Sequence, residues 1–196
     1  MILSNDEIHK AIDAGRLIID PEPMPRIKAV GVKYCPYDAH TVDLRLGPEI
    51  TIPKSGAFSY DFMNTGDIAS CIARNCEKEQ LSTNRPYYLR KGNFILAKTL
   101  ERVAFPVDKG PPYLAGRIEG KSSRARCGLL VHFTAPTVHP EWDGPLTLEM
   151  INLCETPFLL FAGMPIAQLI IEQVDGVVHS NVSQFQGQNT PEGLKA

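Results

Sequence analysis

The chain has 196 residues, 43% of them hydrophobic and 21% charged, and a formal net charge of −2. This length suits one domain with a real core. The balanced charge excludes the global basic field that gathers nucleic acid, so no DNA or RNA partner is expected. No stretch is apolar for long enough to form a membrane-spanning helix, and the first residues lack the basic and apolar regions of a signal peptide. Cys35, Cys71, Cys76, Cys127 and Cys154 are odd in number and form no disulfide framework. A cytoplasmic chain with reduced thiols and no membrane partner is the expectation.

In chain order, Ser4 or Asn5 caps a short helix that runs to about Ala14, with Asp6 and Glu7 favourable in its first turn. Ile8, Ala11 and Ile12 give it an apolar stripe, and Gly15 ends it. Leu17-Ile18-Ile19 predicts a brief strand stopped by Pro21, Pro23 and Pro25. Thr41 to Leu46 alternates strictly. Tyr87 to Leu89, Phe94 to Ala97, Leu129 to Phe133, Leu146 to Leu153, Phe158 to Phe161 and Ile166 to Ile171 are further strands, punctuated by Gly and Pro. Many short strands with turn residues between them predict a mainly β chain, a sandwich or barrel with a short N-terminal helix. Residues 65–80 read as a helix or an irregular insertion. The expected organisation is one domain over 1–176 and a mobile polar tail over 177–196.

Two segments carry the chemistry. Glu149 lies within Leu146-Thr147-Leu148-Glu149-Met150-Ile151, which reads as an apolar strand. Burial of a carboxyl tends to raise its pKa, and an acid poised nearer neutrality can take a proton and return it. Upstream, Gly120-Lys121-Ser122-Ser123-Arg124-Ala125-Arg126-Cys127-Gly128 is dense in hydroxyls, cations and glycine, which suits a polyanion such as a triphosphate. Together they suggest an enzyme that holds a nucleotide by its phosphates and does proton chemistry on its base. Each feature also has a plainer reading. The basic stretch is a solvated surface, Glu149 is a structural acid paired with Arg126, Trp142 is a core or interface aromatic, and His132 is a hydrogen-bonded core histidine. His139-Pro140-Glu141 matches half of a zinc deaminase signature, but the P-C-x-x-C half is missing, so no zinc is expected.

Taken in order, these segments resemble the dCTP deaminases, of the superfamily that also holds the trimeric dUTPases. Leu3 to Leu17, Ile19-Asp20-Pro21, Thr41 to Gly47, Gly120 to Leu129, Val131 to Ala135, Pro140 to Gly144 and Leu148 to Asn152 carry the resemblance. It implies a distorted dUTPase-like β-barrel, a homotrimer with sites at subunit interfaces, and conversion of dCTP to dUTP and ammonia. Mg²⁺ would be bound through the substrate triphosphate. It also implies roles. Glu149 is the general base on the water that attacks C4 of cytosine. Ser122, Arg126 and the backbone of Ala135 work beside it, and Arg126 sets the orientation of Glu149. Lys121 and Ser123 face the phosphates, Trp142 lies near the deoxyribose, and Thr137, His139, Gln184 and Gln188 complete the nucleotide site.

The chain also departs from the pattern. His139 stands where these enzymes commonly have an aspartate that contacts the sugar hydroxyl, which argues against triphosphate cleavage. Glu141 replaces a usual glycine. Gln184 and Phe185 replace a lysine and a tyrosine, and Pro136 and Thr137 also differ. A bifunctional deaminase and dUTPase, a nucleoside triphosphate pyrophosphatase and a non-catalytic nucleotide-binding trimer are the alternatives.

Overall fold

The computed structural model describes residues 1–56, 59–63 and 66–195. Helix α1 spans Asn5–Asp13, and Ser4 Oγ caps it by accepting from Glu7 N at 3.4 Å. Ile8 and Ala11 bury its apolar stripe, and Gly15, at φ 65°, turns the chain out of it.

Eleven strands follow: β1 (Ile18–Asp20), β2 (Thr41–Pro53), β3 (Cys76–Gln80), β4 (Tyr87–Leu89), β5 (Phe94–Ala104), β6 (Tyr113–Gly120), β7 (Leu129–Leu130), β8 (Thr137–Val138), β9 (Asp143–Asn152), β10 (Phe158–Leu160) and β11 (Pro165–Val174). Helix α2 (Ile68–Arg74) precedes β3, and the single turn α3 (Ser122–Ala125) follows β6. Nine strands form one antiparallel sheet with the path β7-β9-β5-β2-β11-β6-β8. On this sheet β1 pairs with β5 and β3 with β2, while β4 and β10 pair separately. The sheet curls into a distorted half-barrel, so the fold is mainly β with one N-terminal helix, as the strand pattern predicts. No helix among the described residues is long and apolar enough to cross a membrane.

Residues 65–80 resolve into α2 and β3, except that 65 lies outside the described residues. Strand β3 has almost no apolar residues. It forms because β2 offers an edge, with Thr51 opposite Lys78. Strands β6 and β8 were not expected from the sequence, whereas the expected strand over Leu129 to Phe133 shrinks to Leu129–Leu130.

Alternation decides which face each residue of β9 occupies. Leu146, Leu148 and Met150 enter the core, so Thr147 and Glu149 point the other way. On β5, Ile95, Ala97 and Val103 face the core, and Leu96 lies opposite Glu149 in register. Thr51 of β2 lies beside Leu96. Glu149, Leu96 and Thr51 therefore form one row across three strands on the non-core face.

The tail does not stay apart from the barrel. After Gly176 it returns across this face. Gln188 donates to Pro145 O at 2.8 Å and to Thr147 Oγ1 at 3.0 Å, Thr147 donates to Pro191 O at 3.2 Å, and Thr51 donates to Glu192 Oε1 at 2.9 Å. The mobile tail expected from its polar composition is thus seated on its own chain from Gln186 to Leu194. Its polar groups find backbone partners on β9, and Gly144 leaves the room, since a Cβ there would meet Gln188 O at 3.2 Å.

Candidate active site

A cavity of about 440 Å³ lies between the outer face of β5 and β9, the loop leading into β8, and the returning tail. Glu149, Thr147 and Leu96 form part of its floor. Ala135, Thr137 and His139 come from the β8 region, Trp142 from the turn before β9, and Gln188 from the tail. These six functional candidates (Glu149, Ala135, Thr137, His139, Trp142 and Gln188) converge although they span 54 residues of sequence, because β8 and β9 flank one face.

Glu149 is the acid at the floor. Its side chain is 30% exposed, not sealed as an apolar strand would suggest. Nor does Arg126 pair with it. His132 takes that place, with Nδ1 2.7 Å from Oε2, an ion pair only when the imidazole is protonated. Among the described residues, neither ring nitrogen nor Oε2 has a well-aligned hydrogen-bond partner. His132 is thus not a satisfied core histidine. It is 8% exposed, borders the cavity, and was read from sequence only as a core residue. Its place in the apolar run Leu129 to Phe133 hid it.

Trp142 packs against the core and lines the cavity, while its Nε1 donates to Gly144 O at 3.0 Å. Gln188 is 5% exposed, with its amide spent on β9. Glu192, missed by sequence reasoning, also borders the cavity and is 2% exposed. Burial opposes its ionisation, but the Thr190 and Thr51 hydroxyls and Lys78 outweigh that and hold its carboxyl below the ordinary range. No sequence signal marks it, because Thr51 and Lys78 come from distant strands.

The other candidates lie elsewhere. Ser122, Ser123 and Arg126 sit on or just after α3 and are exposed. Arg126 enters no ion pair among the described residues. Gln184 is exposed too, and its neighbours Ser183 and Phe185 border the cavity instead. Lys121 is not a free phosphate-facing cation. Its Nζ is paired with Asp43, which is 4% exposed and also accepts from Tyr34 Oη at 2.7 Å. Burial first, and then this acid, push the Tyr34 phenol well above its usual range. A buried carboxylate on β2 draws in the nearest ammonium, which is the one at the end of β6.

A curled antiparallel half-barrel with an acid-floored cavity on its outer face defines the class of protein. The comparisons with known proteins identify the family: the dCTP deaminase-like family matches residues 2–174, and the chain belongs to it. It is 36% identical to a dCTP deaminase of Rhodospirillum rubrum, over 88% of this chain and 82% of that one. It is 31% identical to a dUMP-forming dCTP deaminase of Corynebacterium glutamicum, over 100% of this chain and 96% of that one. Among solved structures, the 2′-deoxycytidine 5′-triphosphate deaminase of Agrobacterium tumefaciens shares the fold at a TM-score of 0.62 and 17% identity. That match covers 90% of this chain and about half, 49%, of the other.

Proposed function

We propose that the chain is a cytoplasmic aminohydrolase that converts dCTP and water to dUTP and ammonia. The observation that carries this reading is a part-exposed carboxylate, Glu149, on the floor of a nucleoside-sized cavity in a chain of this family. Glu149 takes a proton from water as the oxygen adds to C4 of cytosine. That proton passes to N3, the second water proton moves from the new C4 hydroxyl to the amine, ammonia leaves as the C4–N bond breaks, and the C4 carbonyl of uracil remains. The Ala135 backbone helps fix the water, and Trp142 offers a flat apolar wall to the sugar. Thr137, His139 and Gln188 supply polar contacts around the nucleotide.

Phosphate binding needs cations, and no Lys or Arg is among the described residues that border the cavity. Lys121 is engaged by Asp43, and Lys98 by the Asn189 carbonyl. The exposed α3 turn, with Ser122, Ser123 and Arg126, supports a homotrimer in which that turn reaches a neighbouring copy's cavity. Mg²⁺ accompanies the triphosphate as part of the substrate, keeping several of its waters.

Incubating the protein with dCTP and Mg²⁺ and measuring ammonia and pyrophosphate tests the activity. Ammonia alone supports the reading. Pyrophosphate together with ammonia supports direct formation of dUMP, which the full-length match to a dUMP-forming relative favours. Neither product would overturn both. Mixing Glu149→Gln with Arg126→Ala subunits tests the assembly, because a shared site regains turnover in the mixture, and a site built within one chain does not.

A further inference from the structure

Cys127 and Cys154 flank the end of the β7–β9 ladder. Leu129 pairs with Asn152 and Leu130 with Ile151. The bond from Leu153 N to Gly128 O, 2.9 Å long, extends that pairing one step beyond the strands. One residue further out on each side come Cys127, in the turn after α3 with its N donating to Arg124 O at 3.0 Å, and Cys154, just past β9. A disulfide bridges Cα atoms about 4.4–6.8 Å apart, a span that residues flanking the end of one ladder can meet. A second observation places the sulfur itself. A Cβ on Gly128 would lie 2.4 Å from Cys154 Sγ, so that thiol rests against the bare Cα next to Cys127. Both cysteines are exposed and free.

The other thiol touches the candidate site's turn. Cys127 Sγ lies 3.5 Å from Ser123 O, as a weak donor to the carbonyl four residues back. Cys127 directly follows Arg126, and α3 has only four residues. So short a turn has little stability of its own. Gly128, at φ 91°, is the joint between this turn and β7.

We propose that Cys127 and Cys154 are a thiol modification site, joined reversibly by exchange with a small disulfide of the oxidised-glutathione class, and that the bond withdraws the Ser122–Arg126 turn from action. One protein thiolate attacks a sulfur of the small disulfide and expels a thiolate. The second protein thiolate then attacks the mixed disulfide, forms the Cys127–Cys154 bond and expels the other small thiolate. The two protons lost by the protein thiols end on the two small thiols. To reach Cys154, Cys127 must swing away from the Ser123 carbonyl, and the turn loses that anchor while its C-terminal end is tied to β9. The loss of activity rests on the role given above to Ser122 and Arg126. The bond itself does not.

Oxidised glutathione is added to the full chain, free thiols are alkylated, and peptides are mapped by mass spectrometry, with ammonia release from dCTP followed in parallel. The expected result is a peptide pair linked through Cys127 and Cys154, a fall in turnover of about 10²-fold, as misplaced catalytic groups produce, and recovery of both with dithiothreitol. Cys154→Ser should keep full turnover when reduced, form no linked pair, and lose less activity to the oxidant. Alkylation of both cysteines after oxidation would overturn the proposal, and a linked pair with undiminished turnover would overturn the switch. Absence of turnover in the reduced protein would instead count against the deaminase reading, and the mapping would still decide whether the bond forms.

Discussion

Glu149 and Glu101 are two acids in apolar strands of one sheet, and their fates are opposite. Glu101 on β5 has a side chain with no exposure. Arg45 Nε meets it at 2.6 Å, and Arg45 N donates to its second oxygen at 2.8 Å. Glu149 on β9 is 30% exposed, borders a cavity, and faces a histidine in place of a fixed cation. The cause is local. The register between β5 and β9 shifts between Lys98 and Arg102, where Thr99 Oγ1 accepts from Leu146 N at 2.9 Å and donates to Glu101 O at 2.7 Å. Glu101 shares the parity of Ile95, Ala97 and Val103, so the alternation of β5 carries it inward past that irregularity. Glu149 lies on a regular stretch whose alternation turns it outward. An acid that holds a fold together is saturated by its partners, and an acid free for chemistry is not.

Removing each acid should separate the two roles. Glu149→Gln should lower ammonia release by about 10²–10⁴-fold, the usual worth of a general base, while dCTP affinity by calorimetry stays within a few fold. Its unfolding midpoint should hardly move. Substantial residual turnover would show that the base is another group. Lys121→Ala tests the same contrast among cations. If Lys121 chiefly neutralises Asp43, the variant should lose about 3 kcal/mol of stability in urea unfolding, because a buried charge loses its partner. A variant of unchanged stability with weakened triphosphate binding would return Lys121 to the phosphate role.

Glu101→Gln should cost about 2 kcal/mol, the worth of a hydrogen bond to a charged group, at unchanged turnover in the folded protein. Its pH dependence carries a sign. Burial raises the Glu101 carboxyl above its ordinary 4.5, against the pull of Arg45. The folded chain therefore holds that proton more tightly than the unfolded chain. The stability it lends is complete below pH 4.5 and is lost as pH rises through the raised folded value. Wild-type melting temperature should fall more steeply than that of Glu101→Gln as pH rises from 4.5 toward neutrality. Parallel curves would show that Glu101 does not titrate in that window.

The sequence made much of this legible, for reasons that differ by element. Helix α1 was readable to within about a residue at each end because cap, acidic first turn and terminal glycine agree. The segment Leu146-Thr147-Leu148-Glu149-Met150 was readable as a strand, but taking it as a continuous apolar run put Glu149 in the wrong environment. The polar residues at 147 and 149 already showed the alternation that turns them outward. His132 and Glu192 were illegible as site residues, because neither has a local signal: His132 lies in the loop after β7 and Glu192 in the returning tail. Lys121 was visible as a cation, but its partner Asp43 is 78 residues away. Strand β6 was hidden by the small and charged residues of Tyr113–Gly120. They fit a sheet only because Phe105 and Leu169 close over Gly116, where a Cβ would come within 3 Å of both.

The smallest expected effect concerns Glu141, which the sequence comparison singled out as standing where glycine is usual. In the structure it has φ 69°, the only positive φ among non-glycine residues described. Left-handed backbone costs a residue with a Cβ about 1–2 kcal/mol relative to glycine. The conformation persists because both backbone ends are held: Glu141 N donates to Phe105 O at 3.0 Å, and Gln186 Nε2 donates to Glu141 O at 2.6 Å. The second bond ties this turn to the returning tail, so strain beside the cavity is coupled to the tail's seat. Glu141→Gly should relieve the strain at some cost in unfolded-state entropy, for a net gain of about 1 kcal/mol in chemical unfolding. Glu141→Ala keeps the Cβ and should gain nothing. If alanine stabilises as much as glycine, the carboxylate and not the backbone is the source of the penalty, and the glycine pattern at this turn reflects charge near the substrate.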